Sequence, residues 1–234
     1  MADLAPHLFV SVGYELMLGE MLLSVPGIVA ANFHPSLLPA YRGKHPVLHA
    51  LRQGERWIGL TVHVMDTGLN TGDILYQVRV RVRKGDSVAT VLDRIMNKSV
   101  DLVSQLVADA ENGRLSPKPQ PKRGASTFGE VGEEDFHLDW TWDAEKLCRW
   151  IQTSPGQCSI DIRGRRAFLM DAATVDVPED APPGTLLRVG RTGCTVKAGK
   201  GGLYVRRIWS EQDGEASLAR FCRNLDAEPG ELLI

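Results

Sequence analysis

Asn32 and His34 stand two apart in the run Asn32-Phe33-His34-Pro35-Ser36-Leu37-Leu38-Pro39-Ala40-Tyr41-Arg42-Gly43, directly behind a strongly apolar stretch. While strand geometry persists, residues two apart point to the same side, so an amide and an imidazole would lie together. Such a pair can donate to a developing oxyanion, and the imidazole can also move a proton near neutral pH. The same residue types also serve to end a strand and to bond a loop, so by themselves they leave both roles open. A second polar loop, Asp66-Thr67-Gly68-Leu69-Asn70-Thr71-Gly72-Asp73, follows the next apolar run. Its glycines permit tight turns and expose backbone amides, and carboxylates flank it. It could face Asn32 and His34, or it could be a plain connector.

Positioning these loops requires strands, because ligands in open α/β sheets bind beyond the strands' carboxyl ends. The apolar runs predict strands over Leu8–Ser11, Ile28–Asn32 and Leu60–Met65, with a helical stretch Tyr14–Leu23 completing a βαβ unit before Pro26 and Gly27. From Ile74 the period becomes two, with Val78, Val80 and Val82 alternating with Arg79, Arg81 and Arg83, which predicts an outer antiparallel strand. Ser87 is placed to cap a long amphipathic helix whose face carries Val88, Val91, Leu92, Ile95, Leu102, Val103 and Leu106, ending at Gly113. The proline-rich residues 116–126 predict a linker between a first domain, 1–115, and a second, 127–234. There a short helix near Ala144–Gln152 precedes runs at Ser159–Ile162, Ala167–Met170, Thr185–Val189, Cys194–Val196 and Leu203–Ile208, then a helix near Glu215–Asn224. The fold class predicted is α/β: a partial Rossmann-like, mostly parallel sheet plus a small C-terminal antiparallel, barrel-like β domain. Only three apolar strands are offered where about five or six are usual. The expectation is therefore either a small fold or a start codon downstream of the true one, with front strands missing.

The 234 residues are 43% hydrophobic and 24% charged, which excludes a disordered or coiled-coil chain, and the formal charge of −2 gives no general reason to bind nucleic acid. No apolar run approaches the ~20 residues of a membrane span. No Lys or Arg precedes Arg42, as a secretory leader would need, so the protein is expected to be cytoplasmic. Cys148, Cys158, Cys194 and Cys222 lack C-x-x-C spacing and read as reduced thiols. His45 and His49, four apart, read as an ordinary helix face, because no third metal ligand is in register. His63 reads as a packed residue inside a strand. Tyr41 and Arg42 could contact an acceptor phosphate or simply shape the turn. Trp140, Trp142 and Trp150 read as the apolar face of the inter-domain helix.

Asn-x-His-x-Ser-Leu-Leu-Pro, followed some thirty residues later by the Met-Asp-x-Gly-Leu-(Asp)-Thr-Gly-Asp loop, resembles the formyltransferases that use N10-formyltetrahydrofolate, from about Phe9 through Val107 and weakly into the tail. That family includes methionyl-tRNA formyltransferase and enzymes that formylate amino sugars on nucleotide carriers. The resemblance implies that Asn32 and His34 stabilise a tetrahedral intermediate while a loop aspartate manages the amine's proton. It also implies that folate is held by Met17, Leu18 and Met65 and by the loop through Asp66, Asn70 and Asp73, with no metal. The sequence departs from the pattern at Asn70, which stands where the family carries its catalytic aspartate. A carboxamide cannot take a proton, and loss of a general base commonly costs ~10²- to 10⁴-fold in rate, so a catalytically weakened folate-binding relative is one expectation. For the acceptor, residues 1–126 carry 14 basic and 11 acidic residues, net +3, and residues 127–234 carry 13 and 18, net −5. An acidic tail is a poor tRNA platform, so a nucleotide-linked amino sugar is preferred over methionyl-tRNA. A homodimer covering an exposed apolar face is also expected.

Overall fold

The computed structural model describes residues 6–14, 16–178 and 180–233. They form two compact units, 1–130 and 131–234.

The first unit runs β1 (Leu8–Val12), α1 (Glu20–Leu23), β2 (Val29–His34), β3 (Arg42–Gly43), α2 (Pro46–Arg52), β4 (Trp57–Val64), β5 (Ile74–Arg81), α3 (Val88–Glu111) and β6 (Thr127–Phe128). Its main sheet has the order β1-β2-β4-β5. The α/β class holds, but the sheet is mixed: β1 and β2 are parallel, whereas β4 runs antiparallel to both β2 and β5. Composition does not carry this direction. Residues 58–63 of β4 are all buried, so the strand reads as one apolar run whichever way it points.

The helical stretch expected over Tyr14–Leu23 is confined to Glu20–Leu23, because Gly19 ahead of it is extended and Leu16 and Met17 are exposed rather than packed. Glu15 lies outside the described residues. The α3 prediction is met closely. The Ser87 hydroxyl accepts the Thr90 N–H, the Thr90 hydroxyl caps the Ser87 N–H in return, and Gly113 beyond the last turn has φ +61°. Val91, Ile95 and Leu106 are sealed against Phe33, Leu60 and Val62, each such side chain contributing roughly 1.5–3 kcal/mol by burial.

Residues 116–126 are not a free linker. Ile74 and Lys118 exchange backbone hydrogen bonds at 2.8 and 2.9 Å, and Ser126 accepts the Tyr41 N–H on its Oγ at 2.9 Å. Prolines exclude a central strand but permit this one-bridge edge pairing. The chain then adds β6 beside β3, and the units divide between Glu130 and Val131.

The second unit holds a 3₁₀ turn (Glu133–Phe136), α4 (Ala144–Thr153), β7 (Ser159–Ile162), β8 (Arg165–Leu169), β9 (Ala172–Val175), β10 (Leu186–Val189), β11 (Cys194–Lys197), β12 (Gly202–Val205), β13 (Arg207–Ser210), β14 (Gly214–Ser217) and α5 (Leu218–Asn224). Instead of one barrel, the described residues form two antiparallel sheets, β10-β11-β12-β9 and β14-β13-β8-β7. The run expected over Leu203–Ile208 breaks at Arg206, where the chain leaves one sheet for the other. Leu147, Ile151 and Phe221 from the two helices fill the core. Trp142 and Trp150 meet edge to face at 5.1 Å, with Lys146 lying over the Trp142 ring. All four cysteines are buried, with the Sγ atoms of Cys194 and Cys222 3.6 Å apart.

Candidate active site

The carboxyl end of β2 delivers Asn32 and His34, and the antiparallel register with β4 sets His63 opposite Asn32 and Thr61 opposite His34. Cross-strand partners share a face of the sheet, so two histidines and an amide converge. The His63 Nδ1–H donates to the Val64 carbonyl at 2.7 Å. A carbonyl can only accept, so the neutral ring turns its Nε2 lone pair inward, where it accepts from Asn32 Nδ2 at 3.2 Å. Asn70 Nδ2 stands 3.5 Å from the same nitrogen. His34 has the opposite tautomer: its Nε2–H donates to the Tyr41 carbonyl at 2.8 Å, leaving Nδ1 as an acceptor.

Both rings are neutral at pH 7. Burial drives His34 down to about 4, only partly offset by the Tyr41 carbonyl. Burial also lowers His63, and the nearby Arg42 cation adds to this, whereas its bond to the Val64 carbonyl and the Asp66 carboxylate pull it back up.

The second loop is built around Asn70, whose left-handed backbone (φ +55°) is one that Asn tolerates better than most residues. Its Oδ1 accepts the Gly43 N–H at 2.9 Å, and its carbonyl accepts from Gln120 Nε2 at 2.9 Å. Gln120 Nε2 also donates to the Gly72 carbonyl at 2.7 Å, while its Oε1 accepts from Arg42 at 2.7 Å. Asp66 is the loop's internal brace, accepting the Thr71 hydroxyl at 2.8 Å and the Gly68 N–H at 3.1 Å. At Gly43, with φ +90°, an added Cβ would lie 2.1 Å from the Phe128 carbonyl oxygen, so this turn excludes any side chain.

A cleft of about 230 Å³ lies among these groups, and Asn32, His34, Asn70, Met17, Leu18, Met65 and Asp66 all line it. Asp73 does not: its carbonyl accepts the Val64 N–H at 2.8 Å, which ties the far end of the loop to β4. The site reading of Asp73 is corrected accordingly. A reduced pterin needs an apolar slot edged by backbone hydrogen-bonding groups. Met17, Leu18 and Met65 beside the glycine-containing 66–70 turn match that need. Lys44 and His45 line the rim, and both pair with Glu130, His45 at 3.0 Å. His49 stacks on Phe128 at 4.3 Å, and no cluster of metal-ligating groups occurs among the described residues.

Sequence reasoning missed His63 and Gln120. His63 could be found only by knowing that β4 runs antiparallel in the register that sets it opposite Asn32, and Gln120 sits in a stretch read as a linker. Tyr41 turns away from the cleft, its hydroxyl donating to Glu55 at 2.9 Å, and Arg42 holds Gln120.

Residues 1–107 match the family model described as formyl transferase, and residues 130–225 match formyl transferase, C-terminal domain. The chain belongs to the formyl transferase family. The chain is 32% identical over 208 residues to methionyl-tRNA formyltransferase of Burkholderia pseudomallei, covering 87% of this chain and 63% of that protein, so it spans less than two thirds of that relative's length. Among solved structures it is similar to HypX from Aquifex aeolicus in complex with tetrahydrofolic acid, with TM-score 0.68 and 18% identity over 95% of this chain and 41% of that one. It is also similar to the N-formyltransferase from Helicobacter canadensis in complex with folinic acid and dTDP-3-aminofucose, with TM-score 0.68 and 14% identity over 86% and 73% of the two chains.

Proposed function

We propose that this formyl transferase carries the formyl group of N10-formyltetrahydrofolate to the amine of a nucleotide-linked amino sugar. The observation that carries the reading is the single cleft that gathers Asn32, His34 and Asn70 with the apolar wall of Met17, Leu18 and Met65. N10-formyltetrahydrofolate supplies an activated one-carbon acyl group, and the protein's part is to bind, orient and handle protons.

In this reading Asn32 is the oxyanion donor. One of its Nδ2 hydrogens is held by His63, which fixes the amide's orientation and leaves the second hydrogen for a formyl oxygen. Neutral His34 has its one N–H engaged by Tyr41, so it offers the cleft an acceptor rather than a donor. The 66–70 turn and the methionines hold the pterin.

The net −5 of residues 127–234 supports the small acceptor, because a tRNA complex draws most of its affinity from phosphate neutralisation. The Helicobacter canadensis neighbour, bound to folinic acid and dTDP-3-aminofucose, is consistent with it. A second reading, methionyl-tRNA as acceptor, is favoured by the curated relatives at 31–32% identity. Competition settles the choice: purified protein is supplied with N10-formyltetrahydrofolate and either dTDP-amino sugars or methionyl-tRNA at 50 and 200 mM salt. Turnover of the sugar that is insensitive to salt supports the proposal. Formylation of the tRNA alone, falling steeply with salt, replaces it with the second reading.

A further inference from the structure

We propose that His63 is the proton acceptor of this site, doing the work that a carboxylate at position 70 would otherwise do. The inference rests on the formyl-transfer reading and adds a catalytic residue to it.

Three observations carry it. First, Asn70 has no basic atom to offer: its Oδ1 is taken by the Gly43 N–H, and its Nδ2 points toward the His63 ring. Second, the His63 tautomer is fixed from behind by the Val64 carbonyl at 2.7 Å, so its one basic atom is Nε2, which lies between Asn32 and Asn70 in the cleft lining and whose lone pair accepts the Asn32 Nδ2–H at 3.2 Å until a proton takes its place. Third, the competing imidazole is less suited. His34 is held near 4 by burial, with the His63 ring as an additional charge against its protonation. Burial lowers His63 as well, but its bond to the Val64 carbonyl and the Asp66 carboxylate act in the opposite direction and favour its charged form. The charged groups that bear on His63 are therefore Asp66, which favours protonation, and Arg42, which opposes it. Asn32, which in this reading orients the formyl oxygen, sits directly opposite His63 on the paired strand, so a proton shed by the attacking amine has a short path to Nε2.

The step balances without a further reagent. The acceptor amine forms the new C–N bond to the formyl carbon, and the bond from that carbon to N10 breaks. The proton lost by the amine is held at His63 Nε2, where it replaces the hydrogen bond from Asn32, and ends on N10 of the departing tetrahydrofolate, after which that hydrogen bond re-forms. The imidazole returns to its neutral state and the Nδ1–H to Val64 is never broken.

The test uses the full chain in three forms: wild type, His63→Gln and His63→Gln/Asn70→Asp. A glutamine amide can still accept from Asn32 but cannot take a proton. The expected result is a fall of ~10²-fold or more in kcat for His63→Gln, with folinic acid affinity by calorimetry within about threefold of wild type. The second variant should recover at least tenfold, because it places a carboxylate beside the vacated position. His63→Gln that binds folinic acid and turns over at the wild-type kcat overturns the inference. A wild type that transfers formyl to neither acceptor overturns the functional reading, and this inference with it, through the wild type rather than through His63. Independently of turnover, ¹⁵N imidazole spectra of the wild type should show an unprotonated His63 Nε2 at pH 7. A proton on that nitrogen in the neutral ring overturns the inference outright.

Discussion

Asn70 accepts the Gly43 backbone N–H on its side-chain oxygen at 2.9 Å, so the loop after β4 is pinned to the turn after β2 by an atom that a carboxylate would also supply. The same side chain puts its Nδ2 3.5 Å from His63 Nε2, a contact that a carboxylate would reverse in sign. Position 70 thus has one face that is indifferent to the exchange of amide for acid and one that is not.

Asn70→Asp should therefore leave the fold intact, with thermal midpoint little changed, while raising formyl transfer. It should also raise the pKa of His63, because the second oxygen accepts from a protonated Nε2 and not from a lone pair. NMR titration of the ring together with kcat/KM checks both halves. A variant that folds but transfers formyl more slowly than wild type would show that the loop's role has been misassigned.

Gln120→Ala removes three hydrogen bonds at once, to Asn70, Gly72 and Arg42. The expected loss of stability is about 1–3 kcal/mol. Because those bonds hold the 66–73 loop rather than the reacting groups, KM for the folate should rise more than kcat falls. Urea unfolding and steady-state kinetics measure the two effects, and an unchanged KM would mean that the loop keeps its place without Gln120.

Thr61 is fully buried opposite His34. Its hydroxyl donates to the Ser36 carbonyl at 2.7 Å and accepts from the Leu38 N–H at 3.2 Å and Gln77 Nε2 at 2.9 Å. Thr61→Val keeps the shape but strands these partners in the core, which should cost about 2–3 kcal/mol. A loss under ~0.5 kcal/mol in denaturant unfolding would mean that the 36–38 turn does not depend on this hydroxyl.

Acid should destabilise the first unit through its buried imidazoles. His34 is held at about 4 by burial, below its ordinary value of 6.5, and His63 is lowered in the same direction. Between pH 6.5 and 4 the unfolded chain takes up protons that the folded chain refuses, so stability falls as pH drops through that window and is unaffected by these groups above it. For His34 alone the effect is on the order of 3 kcal/mol. His34→Gln should flatten the slope of unfolding free energy against pH between 6.5 and 4.5, and an unaltered slope would place the acid sensitivity elsewhere.

The legible parts were those where local chemistry decides. Ser87, the apolar stripe behind it and Gly113 determine α3 with little help from the rest of the chain. Asn32 and His34 were legible because an unusual polar pair follows an apolar strand, and Met17, Leu18, Met65 and Asp66 entered through the family likeness and do line the cleft. His63 was hidden because a polar residue inside a buried strand reveals its partner only once strand direction and register are known. β9 and β14 escaped notice for a different reason. GEAS has no β-branched or aromatic residue and AATV opens on two alanines with only Thr174 and Val175 to suggest a strand, so both form by pairing, with β13 and β12 respectively. The linker reading failed because proline composition reports what a segment cannot be internally, not what it leans on.

The return of residues 118–128 onto the sheet makes the family's sequence boundary and the physical boundary different things. A polypeptide cut after Val107, where the first family match ends, would lose the Lys118 bridge to β5, the Gln120 clamp on Asn70 and the Phe128 strand that closes the Gly43 turn. Cut after Glu130, it keeps all three. The portable module, for swapping between relatives or for expression alone, therefore carries the proline-rich stretch with it, as a strap belonging to the first unit rather than as spacing to be lengthened or exchanged at will.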